Sequence, residues 1–521
     1  MTTVSTDAPE AESPGEVNRL KANSVGLVGV VFMAVATAAP ITAMTGNLPV
    51  IAGSGGNGLG APAAYIVATL VLTIFSVGYV TMAKHITAAG AFYGFISHGL
   101  GRATGMAAGL IAVMAYIVFE ASILGFFANA LHNLVDEQFG VDIHWGVFAF
   151  VGLIAIGCLG YFDIHLTAKV LGVALILEIA VLGAVSLAVL FTGGGPDGFL
   201  AGDALNPLNG IKGADGTIGA AAGFGLFFAF WSWVGFESTA MYGEESRDPK
   251  RVVPRATLIS VVGVGVFYVF VSWMMVSAEG RGVVEDGGGL FFNPLGDHFG
   301  GWAVDVFQWL IVTGSFACAM AFHQCASRYL YAIGREGFIH KSLGRTHRSY
   351  GSPHIASTVQ TCLTIAIVSG FLLADQDPVV HMYGLLALLG TMAILIVQTL
   401  CSFATVGYFH VQGNHPESKH PVKTLIAPIV AGIAMIGVVF LLVTNLEDAA
   451  GAASTSLLFD LIPWIVGVLF AAGIGLALYM KNARPEAYER MGRIILEDAG
   501  EREAQPAVPA QGGAAAKTPA G

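Results

Sequence analysis

The feature that most constrains this chain is its series of long apolar segments. Each holds about 20 mostly apolar residues, which as an α-helix span a hydrocarbon core of roughly 30 Å. Only 11% of the 521 residues are charged and 55% are hydrophobic, whereas soluble domains carry roughly 25% charged residues. These segments exclude a water-soluble globule and predict an all-α membrane protein.

We predict twelve transmembrane helices in a membrane domain that covers residues 21–480. The approximate bounds of the segments are 25–53, 61–83, 103–131, 144–161, 167–192, 218–242, 252–278, 301–332, 354–374, 381–409, 424–445 and 459–480. The flanking tails, residues 1–20 and 481–521, are rich in Ala, Pro, Gly and acidic residues. We expect both tails to be mostly disordered.

The charged residues between the predicted segments are segregated. One set of connections holds nearly all the basic residues, among them Arg102 and Arg335, while the other set collects acids such as Asp203 and Asp375. The positive-inside rule then puts both termini in the cytoplasm, which agrees with an even number of spans. The polar, acidic start of the chain does not predict a signal peptide. We therefore expect a multi-pass protein of the cytoplasmic membrane.

The first and sixth segments each carry a helix breaker near the middle. Pro40 has no N–H and clashes with the preceding turn, and Gly235 weakens the helix around it. Glu237 follows, and a carboxylate at membrane depth costs about 2.5–3.5 kcal/mol on insertion scales. Interrupted helices of this kind expose backbone groups to a substrate in transporters. A kinked structural helix whose glutamate bonds a neighbour would give the same pattern.

The two interruptions lie five segments apart. This spacing suggests two inverted repeats of five helices, over about 25–192 and 218–409, with two further helices over about 424–480. We see no sequence identity between the halves, so the inference depends on spacing alone.

Further polar residues lie inside apolar segments. Tyr116 and Glu120 in the third segment are four residues apart, so they share a helix face, and both are candidates for substrate contact. Glu178 lies in the fifth segment. Together with Glu237 these acids, without a base at the same depth, favour a cationic partner, either a substrate amine or a proton. His323 is interpreted as a hydrogen-bonding group between helices.

The five cysteines all lie in or beside apolar segments and form no Cys-x-x-Cys motif. We interpret them as small core residues and predict no disulfide, no metal site and no cofactor. Because the chain also lacks a nucleophile elbow, we do not expect an enzyme.

Three blocks of the sequence resemble the amino acid–polyamine–organocation (APC) permease superfamily. The first, similar to the sixth-helix signature, is Phe230-Trp-Ser-Trp-Val-Gly-Phe-Glu237 with Glu244-Glu245, Asp248-Pro249 and Val253-Pro-Arg-Ala256. The second, similar to the loop after helix eight, is Ser327-Arg328 with Arg335-Glu336-Gly337 and Ser352-Pro353. The third, similar to the start of helix three, is Ala88-Ala-Gly-Ala-Phe-Tyr93. The likeness covers about residues 20–480.

The resemblance implies a leucine-transporter-like fold of five plus five inverted helices and two more, with helices 1 and 6 interrupted. It also implies alternating access around a midplane site. By the same resemblance, Ile41 and Thr42 would meet the substrate carboxylate, and Ala38, Trp231 and Val234 would meet its amine. The tryptophan corresponds to an aromatic residue that closes over the substrate in arginine/agmatine antiporters.

The chain departs from the family pattern in two places. Pro40-Ile41-Thr42 stands where the family has Gly-Ser-Gly, which changes the amide geometry of helix one. Glu178 stands where several members carry a lysine midway along helix five, so a carboxylate would have to carry the proton. Glu237 matches an acid that the antiporters use in pH-dependent coupling. Both glutamates are therefore candidates for proton coupling.

The leading hypothesis is a secondary transporter that moves an amino acid or organic amine across the cytoplasmic membrane, driven by protons. The alternatives are a polyamine carrier or amine/amino-acid exchanger and, further off, an amine sensor without net flux. The expected partners are the substrate, protons and the lipid bilayer, with no nucleic acid. The sequence does not determine the oligomeric state.

Overall fold

The computed structural model describes residues 20, 23–87, 90–162, 164–284, 289–444 and 446–492. Most of the two predicted tails, and the Ala88-Ala89 part of the third sequence block, lie outside the described residues. In the first half the α-helices are α1 (Leu27–Ala38), α2 (Pro40–Ala52), α3 (Ala61–Ala83), α4 (Ala91–Gly99), α5 (Arg102–Phe139), α6 (Trp145–Tyr161) and α7 (Ile164–Phe191). In the second half they are α8 (Ala201–Ala204), α9 (Ala220–Trp231), α10 (Pro249–Glu279), α11 (Phe292–Phe299), α12 (Gly301–Glu336), α13 (His354–Leu373), α14 (Gly384–Val406), α15 (Ala427–Thr444), α16 (Leu446–Ala450), α17 (Leu457–Ala483) and α18 (Pro485–Arg490).

Each of the predicted segments contains a helix. Within the described residues, nine helical segments are long and apolar enough to cross a bilayer. Two shorter apolar stretches, Trp145–Tyr161 and Leu175–Phe191, lie in the fourth and fifth predicted spans. The sixth predicted span is divided, because α9 has only 12 residues. The predicted helical membrane protein is confirmed, while the count of twelve spans and the inverted repeat stay predictions.

The outer surface of the bundle is apolar, as expected where lipid replaces water. Ile433 on α15 and Trp464 on α17 are 60% and 71% exposed. Cys158 and Cys362 are also exposed, so the prediction that all cysteines are core residues is wrong for these two. A cysteine thiol is only weakly polar, and a lipid-facing position therefore suits it as well as a core position.

The first membrane segment is interrupted at Ala39, between α1 and α2. Ala39 has left-handed backbone angles (φ 46°, ψ 78°), and Pro40 is the first residue of α2. Proline suits a helix start because its fixed φ is already helical and no internal N–H is lost. One apolar segment therefore contains the end of one helix and the beginning of another.

The sixth segment is interrupted over residues 232–235. After α9 ends, a 3₁₀ turn, Phe236–Ala240, follows Gly235, whose φ of 119° is left-handed. A Cβ at Gly235 would lie 2.5 Å from the Cβ of Thr37 at the end of α1. Glycine is therefore required both by the backbone angle and by the close approach. The two interruptions lie against each other.

After α17 the described chain continues to Gly492 and packs on the end of the bundle where Arg102 and Arg335 lie, called here the basic end. The N–H of Gly492 donates to both carboxylate oxygens of Glu336 (2.9 and 3.1 Å). The hydroxyl of Tyr93 donates to the same carboxylate. These bonds connect the C-terminal segment to the ends of α4 and α12.

Candidate functional site

A small cavity lies where the two interruptions meet. Its volume is about 20 Å³, which is room for about one water molecule. Its lining residues are Thr37, Ala38, Ala39, Thr42, Ala43, Asn47, Ile123, Trp231, Ser232, Val234, Cys318, Phe322 and Tyr383. None of them carries a charge at neutral pH, so the cavity offers hydroxyls, an amide, backbone groups and apolar faces.

Trp231, at the end of α9, covers one side of the cavity. Its ring is parallel to that of Phe322, with 6.1 Å between centroids and 5° between planes, and lies 4.4 Å from Phe119. The indole N–H donates to the Tyr383 hydroxyl (3.3 Å). Aromatic pairs are worth about 0.5–1.5 kcal/mol beyond their burial. Contacts with protein groups therefore hold the tryptophan in place.

Hydrogen bonds continue from Tyr383 to both interrupted segments. The Tyr383 hydroxyl donates to Asn47 Oδ1 (2.7 Å), and Asn47 Nδ2 donates to Ser232 Oγ (2.9 Å). Asn47 is on α2 and Ser232 is in the second interruption, so this chain of bonds connects three membrane segments beside the cavity. The sequence analysis did not identify these three residues, although polar side chains inside apolar segments were an available signal.

Several predicted substrate contacts line the cavity: Ala38, Thr42, Val234 and Trp231. The Thr42 hydroxyl is buried and has no hydrogen-bond partner among the described residues, which costs about 1–3 kcal/mol. The Ala38 carbonyl, in contrast, accepts a hydrogen bond from the Tyr268 hydroxyl (2.8 Å). Thr42 thus offers an unused polar group, whereas a substrate amine would have to share the Ala38 carbonyl.

Glu178 on α7 reaches the start of α2. Its Oε2 accepts a hydrogen bond from the Ile41 N–H (3.1 Å), and the residue is 2% exposed. Gly314 on α12 provides the space, because a Cβ there would lie 2.9 Å from Glu178 Oε1. Ile41, expected to meet a substrate carboxylate, is instead bonded to a carboxylate of the protein and is not among the lining residues.

Glu237 is fully buried beside the second interruption. Its Oε1 accepts from the Tyr116 hydroxyl (2.7 Å) and its Oε2 from the Gly235 N–H (3.0 Å). The carboxylate therefore satisfies a backbone donor that the interruption frees. Tyr116, a candidate for substrate contact, is bound to this carboxylate and is not among the lining residues. This geometry agrees with the alternative interpretation of the sixth segment, a kinked helix whose glutamate bonds a neighbour. The role of Glu237 in proton coupling stays a prediction.

Glu120 belongs to a separate buried cluster that joins α5, α12 and α13. Its carboxylate accepts hydrogen bonds from Gln360 Nε2 (2.5 Å) and Thr364 Oγ1 (3.2 Å) and lies 3.1 Å from His323 Nδ1. The other ring nitrogen of His323 is 2.8 Å from the Ser357 hydroxyl. The structure does not bring Glu120 to the cavity, and its partners explain how a carboxylate is accommodated at this depth.

Two ion pairs close the basic end. Arg328 forms two hydrogen bonds with Glu245 (2.8 and 3.0 Å), and Arg335 forms two with Glu244 (2.7 and 2.9 Å). The side chains in both pairs are at most 7% exposed. Along α12, Arg328 is ten residues from the cavity residue Cys318, a distance of about 15 Å. The cavity is therefore separated from this end by buried charged groups.

One group of side chains in the described part of the chain could hold a divalent metal ion. His85, His415 and Glu417 place their ligand atoms within 4.8 Å of one another. A hydrogen bond from its own backbone N–H and one from His415 lower the pKa of the Glu417 carboxyl. The cluster lies on loops that follow α3 and α14, and the sequence analysis did not find it because its members are far apart along the chain.

The chain matches the model of a protein family, described as amino acid permease, over residues 25–471. The chain belongs to the amino acid permease family. The predicted resemblance to APC permeases is thereby confirmed, and the matched residues include both interruptions and the whole cavity.

Three relatives illustrate what the permease is similar to. The branched-chain amino acid permease BcaP of Bacillus subtilis (strain 168) is 22% identical over 422 residues, which are 77% of this chain and 83% of the relative. BcaP of Lactococcus lactis subsp. cremoris (strain MG1363) is 24% identical over 421 residues, 74% and 81% of the two chains. The glutamate/serine transporter AimA of Bacillus subtilis (strain 168) is 25% identical over 355 residues, 66% and 59%.

Proposed function

We propose that this permease carries a zwitterionic amino acid with an apolar side chain across the cytoplasmic membrane. The observation that carries the proposal is the uncharged lining of the cavity between the two interruptions. A zwitterion has no net charge and needs hydrogen-bonding groups for its two ends. A polyamine would bring several positive charges to a water-poor site without a carboxylate in its lining, which is costly. A neutral amino acid therefore fits better than the polyamine alternative.

The substrate's side chain would be recognised by apolar contacts. Ile123, Val234 and Phe322 line the cavity beside Trp231, and apolar and aromatic linings of this kind favour aliphatic or aromatic substrates. Two of the relatives are branched-chain amino acid permeases, which supports this choice. Thr42 would provide one of the polar contacts.

Transport would proceed by alternating access, in which the contacts that close the cavity on each side open in turn. The present cavity is too small for an amino acid, so Trp231 would have to leave its position against Phe322 before a substrate enters. Release toward the basic end would require separation of the pairs of Arg328 and Arg335 with their glutamates. The basic end would face the cytoplasm, because basic residues are retained on that side of the membrane.

Inward proton movement would supply the driving force. The candidates for the proton carrier are Glu178 and Glu237, each of which is buried and bonded to the backbone of an interrupted segment. A group at such a position can couple its protonation to the arrangement of the interruption. An exchanger, or a sensor that binds without flux, is the alternative that the experiment below would reveal.

Uptake by purified protein in proteoliposomes tests the proposal. We expect uptake of leucine, isoleucine, valine or phenylalanine, faster with an inward proton gradient, and little uptake of arginine or spermidine. Trp231→Leu should weaken substrate affinity, while Trp302→Leu, which changes a tryptophan that is 66% exposed, should not. Preferential uptake of spermidine would contradict the substrate class, and binding without uptake would favour the sensor.

A further inference from the structure

Three side chains of metal-ligating type meet at the basic end of the bundle, away from the cavity. His85 follows α3, whereas His415 and Glu417 belong to the connection between α14 and α15. Their ligand atoms lie within 4.8 Å of one another. Bonds of about 2.0–2.2 Å to a tetrahedral Zn²⁺ place neighbouring ligand atoms about 3.4 Å apart. Because all three side chains are at least partly exposed, small movements would bring them to one ion.

The backbone at His415 is strained where the ligand atoms converge. Its angles are left-handed (φ 48°, ψ 65°), although a non-glycine residue rarely adopts them and the residue before a proline is normally extended. With this backbone, the His415 ring stacks on that of His85, with 4.0 Å between centroids and 24° between planes. Its Nδ1 lies 2.9 Å from Glu417 Oε1. Backbone strain of this kind clusters at binding sites.

Neighbouring side chains orient the two imidazole rings. His85 Nε2 lies 3.0 Å from the Ser418 hydroxyl, and the His85 ring packs edge-on against Phe409, with 5.8 Å between centroids. The ring of Tyr408 lies 6.0 Å from that of His415. Histidines that bind metals usually have such partners, which fix the orientation of the ring. The two rings are therefore positioned by side chains that follow α14.

We propose that His85, His415 and Glu417 bind one divalent transition-metal ion of the Zn²⁺ class, which joins the connection after α3 to the connection after α14. The proposal goes beyond the function proposed above, because the site is separate from the cavity. Two imidazole nitrogens and a carboxylate oxygen suit Zn²⁺, whereas Ca²⁺ and Mg²⁺ prefer oxygen ligands alone. The expectation of no metal site depended on motifs along the chain, which cannot show this convergence.

The charges around the site permit a divalent cation. The Glu417 carboxylate brings one negative charge, and the two imidazoles bind metals in their neutral form. Lys84 and Lys419 lie close to the ligands along the chain, but both are exposed, so water and salt screen their charges. Three protein ligands leave a fourth position for water.

An ion at this place would connect two helices that reach the interruptions and the cavity. α3 contacts the second interruption, since the Tyr79 hydroxyl donates to the Glu237 carbonyl (2.7 Å). α14 begins directly after Tyr383, which lines the cavity. The ion would therefore restrict movement of α3 relative to α14 and stabilise the folded protein.

Zn²⁺ binding to the full-length protein, purified in detergent without an affinity tag, tests the proposal. Calorimetry should show one ion per chain with a dissociation constant of about 1 μM or below. Zn²⁺ should also raise the melting temperature, because it binds the folded state. Mg²⁺ and Ca²⁺ at about a hundredfold higher concentration should do neither. Since no transported substrate is used, the result does not depend on the proposed function.

Three variants each remove one ligand: His85→Gln, His415→Asn and Glu417→Gln. Asparagine is chosen at position 415 because it tolerates left-handed backbone angles. Each variant should bind Zn²⁺ at least about tenfold more weakly, since even the loss of an outer partner costs about 10–100-fold. Each should also lose the increase in melting temperature.

His347→Gln is the matched control, because it changes one of another pair of neighbouring histidines. The rings of His347 and His354 lie 5.3 Å apart, but neither belongs to the three-ligand group of the described residues. This variant should bind Zn²⁺ as the wild type does. A loss of affinity in His347→Gln that the three ligand variants do not share would overturn the proposal.

A measurement on the wild type alone keeps the test independent of how a variant folds. Zn²⁺ should protect His85 and His415 from modification by diethyl pyrocarbonate and leave the exposed His340 reactive. Modification of all three at unchanged rates would overturn the proposal. So would the absence of Zn²⁺ binding below about 100 μM, or binding that none of the three ligand variants weakens. Equal affinity for Mg²⁺ would overturn the class of metal.

Discussion

At the scale of single residues, the buried acids differ in the partners that satisfy them. Glu178 meets a backbone N–H, Glu237 meets a tyrosine and a backbone N–H, and Glu120 meets a glutamine, a threonine and a histidine. The sequence predicted all three at membrane depth but assigned two of them to proton coupling and one to the substrate. Among the described residues that line the cavity, Thr42 has a buried hydroxyl without a hydrogen-bond partner.

Thr42→Val tests whether that hydroxyl serves the substrate. We expect the dissociation constant of leucine to rise about five- to tenfold, the value of one hydrogen bond of about 1–1.5 kcal/mol. Thermal stability should be unchanged or slightly higher, because the Thr42 hydroxyl forms no hydrogen bond with the described residues that the substitution would remove. Calorimetry and a melting curve measure the two quantities.

Thr391→Val is the matched control for this substitution. The Thr391 hydroxyl on α14 is likewise buried without a partner in the described structure, but it is not among the residues that line the cavity. It should leave the dissociation constant unchanged. Equal losses of affinity in the two variants would show that Thr42 acts only through packing.

At the scale of elements, the two interrupted segments determine where a cavity can exist. A continuous helix hides its backbone groups, whereas the helix ends at Ala39 and around Gly235 can present theirs to a solute. The breakers themselves are visible in the sequence. Their mutual contact, Gly235 against Thr37, is a property of the packing of α1 on the turn after α9.

Gly235→Ala should damage both stability and transport. A left-handed φ costs a non-glycine residue about 1–3 kcal/mol, and the new Cβ would also overlap Thr37. We expect the free energy of unfolding to fall by at least about 2 kcal/mol, with loss of uptake. Denaturant unfolding in mixed micelles would measure the change.

Gly263→Ala is the matched control for Gly235→Ala. Gly263 lies within α10, and a Cβ there would meet nothing within 4 Å. Replacing a helical glycine by alanine is worth about 0.5–1 kcal/mol in favour of the helix. Stability should therefore stay equal or rise. Similar losses of unfolding free energy in the two variants would contradict a specific requirement for glycine at position 235.

At the scale of the whole molecule, the structure is closed at the basic end. The Arg328–Glu245 pair joins α12 to the segment that follows the second interruption. The carbonyl of Glu245 also accepts the N–H groups of Ser24 and Val25 (2.9 and 3.0 Å). One glutamate thus connects the start of the first segment with α12. Opening at this end requires these groups to separate.

Arg328→Gln should open the basic end. Removing one partner of a buried pair costs about 3–5 kcal/mol, because the other charge, here that of Glu245, is left uncompensated. The substitution therefore destabilises the closed conformation, in which this charge is buried. In a protein that keeps Cys318 as its single cysteine, we expect thiol reagents to label Cys318 at least about tenfold faster, a change of about 1.4 kcal/mol. Labelling kinetics measure the effect.

Two further variants test whether faster labelling comes from the loss of the buried ion pair. Arg328→Gln combined with Glu245→Gln should return labelling toward the wild-type rate, since no charge is then left without its partner. Arg251→Gln, which removes an ion pair whose side chains are 77% and 51% exposed, should have no effect. Faster labelling in the Arg251 variant would mean that charge alone, and not the buried pair, controls access.

The expected orientation, with the basic end in the cytoplasm, can be tested separately. Single-cysteine variants Arg251→Cys, at the basic end, and Leu208→Cys, which replaces a residue that is 60% exposed between α7 and α9, should be labelled from opposite sides of the membrane. In intact cells an impermeant reagent should reach position 208 and not position 251, because basic connections stay in the cytoplasm. The reverse labelling would invert the proposed direction of transport.

The sequence alone determined the membrane environment, the two interruptions and the family. These features depend on local properties: the length of apolar segments relative to the bilayer, the backbone restrictions of proline and glycine, and short motifs. Pro40 and Gly235 could therefore be recognised without any knowledge of their neighbours.

Only the tertiary structure decided what surrounds the cavity. Ile41 and Glu178 are 137 residues apart, and Glu120 and Thr364 are 244 apart, so no local pattern could pair them. The uncharged lining depends on where each buried acid finds a partner, and packing of distant helices selects that partner. Asn47 and Tyr383 were missed, and Tyr116 and Glu120 were assigned to the substrate, for this same physical reason.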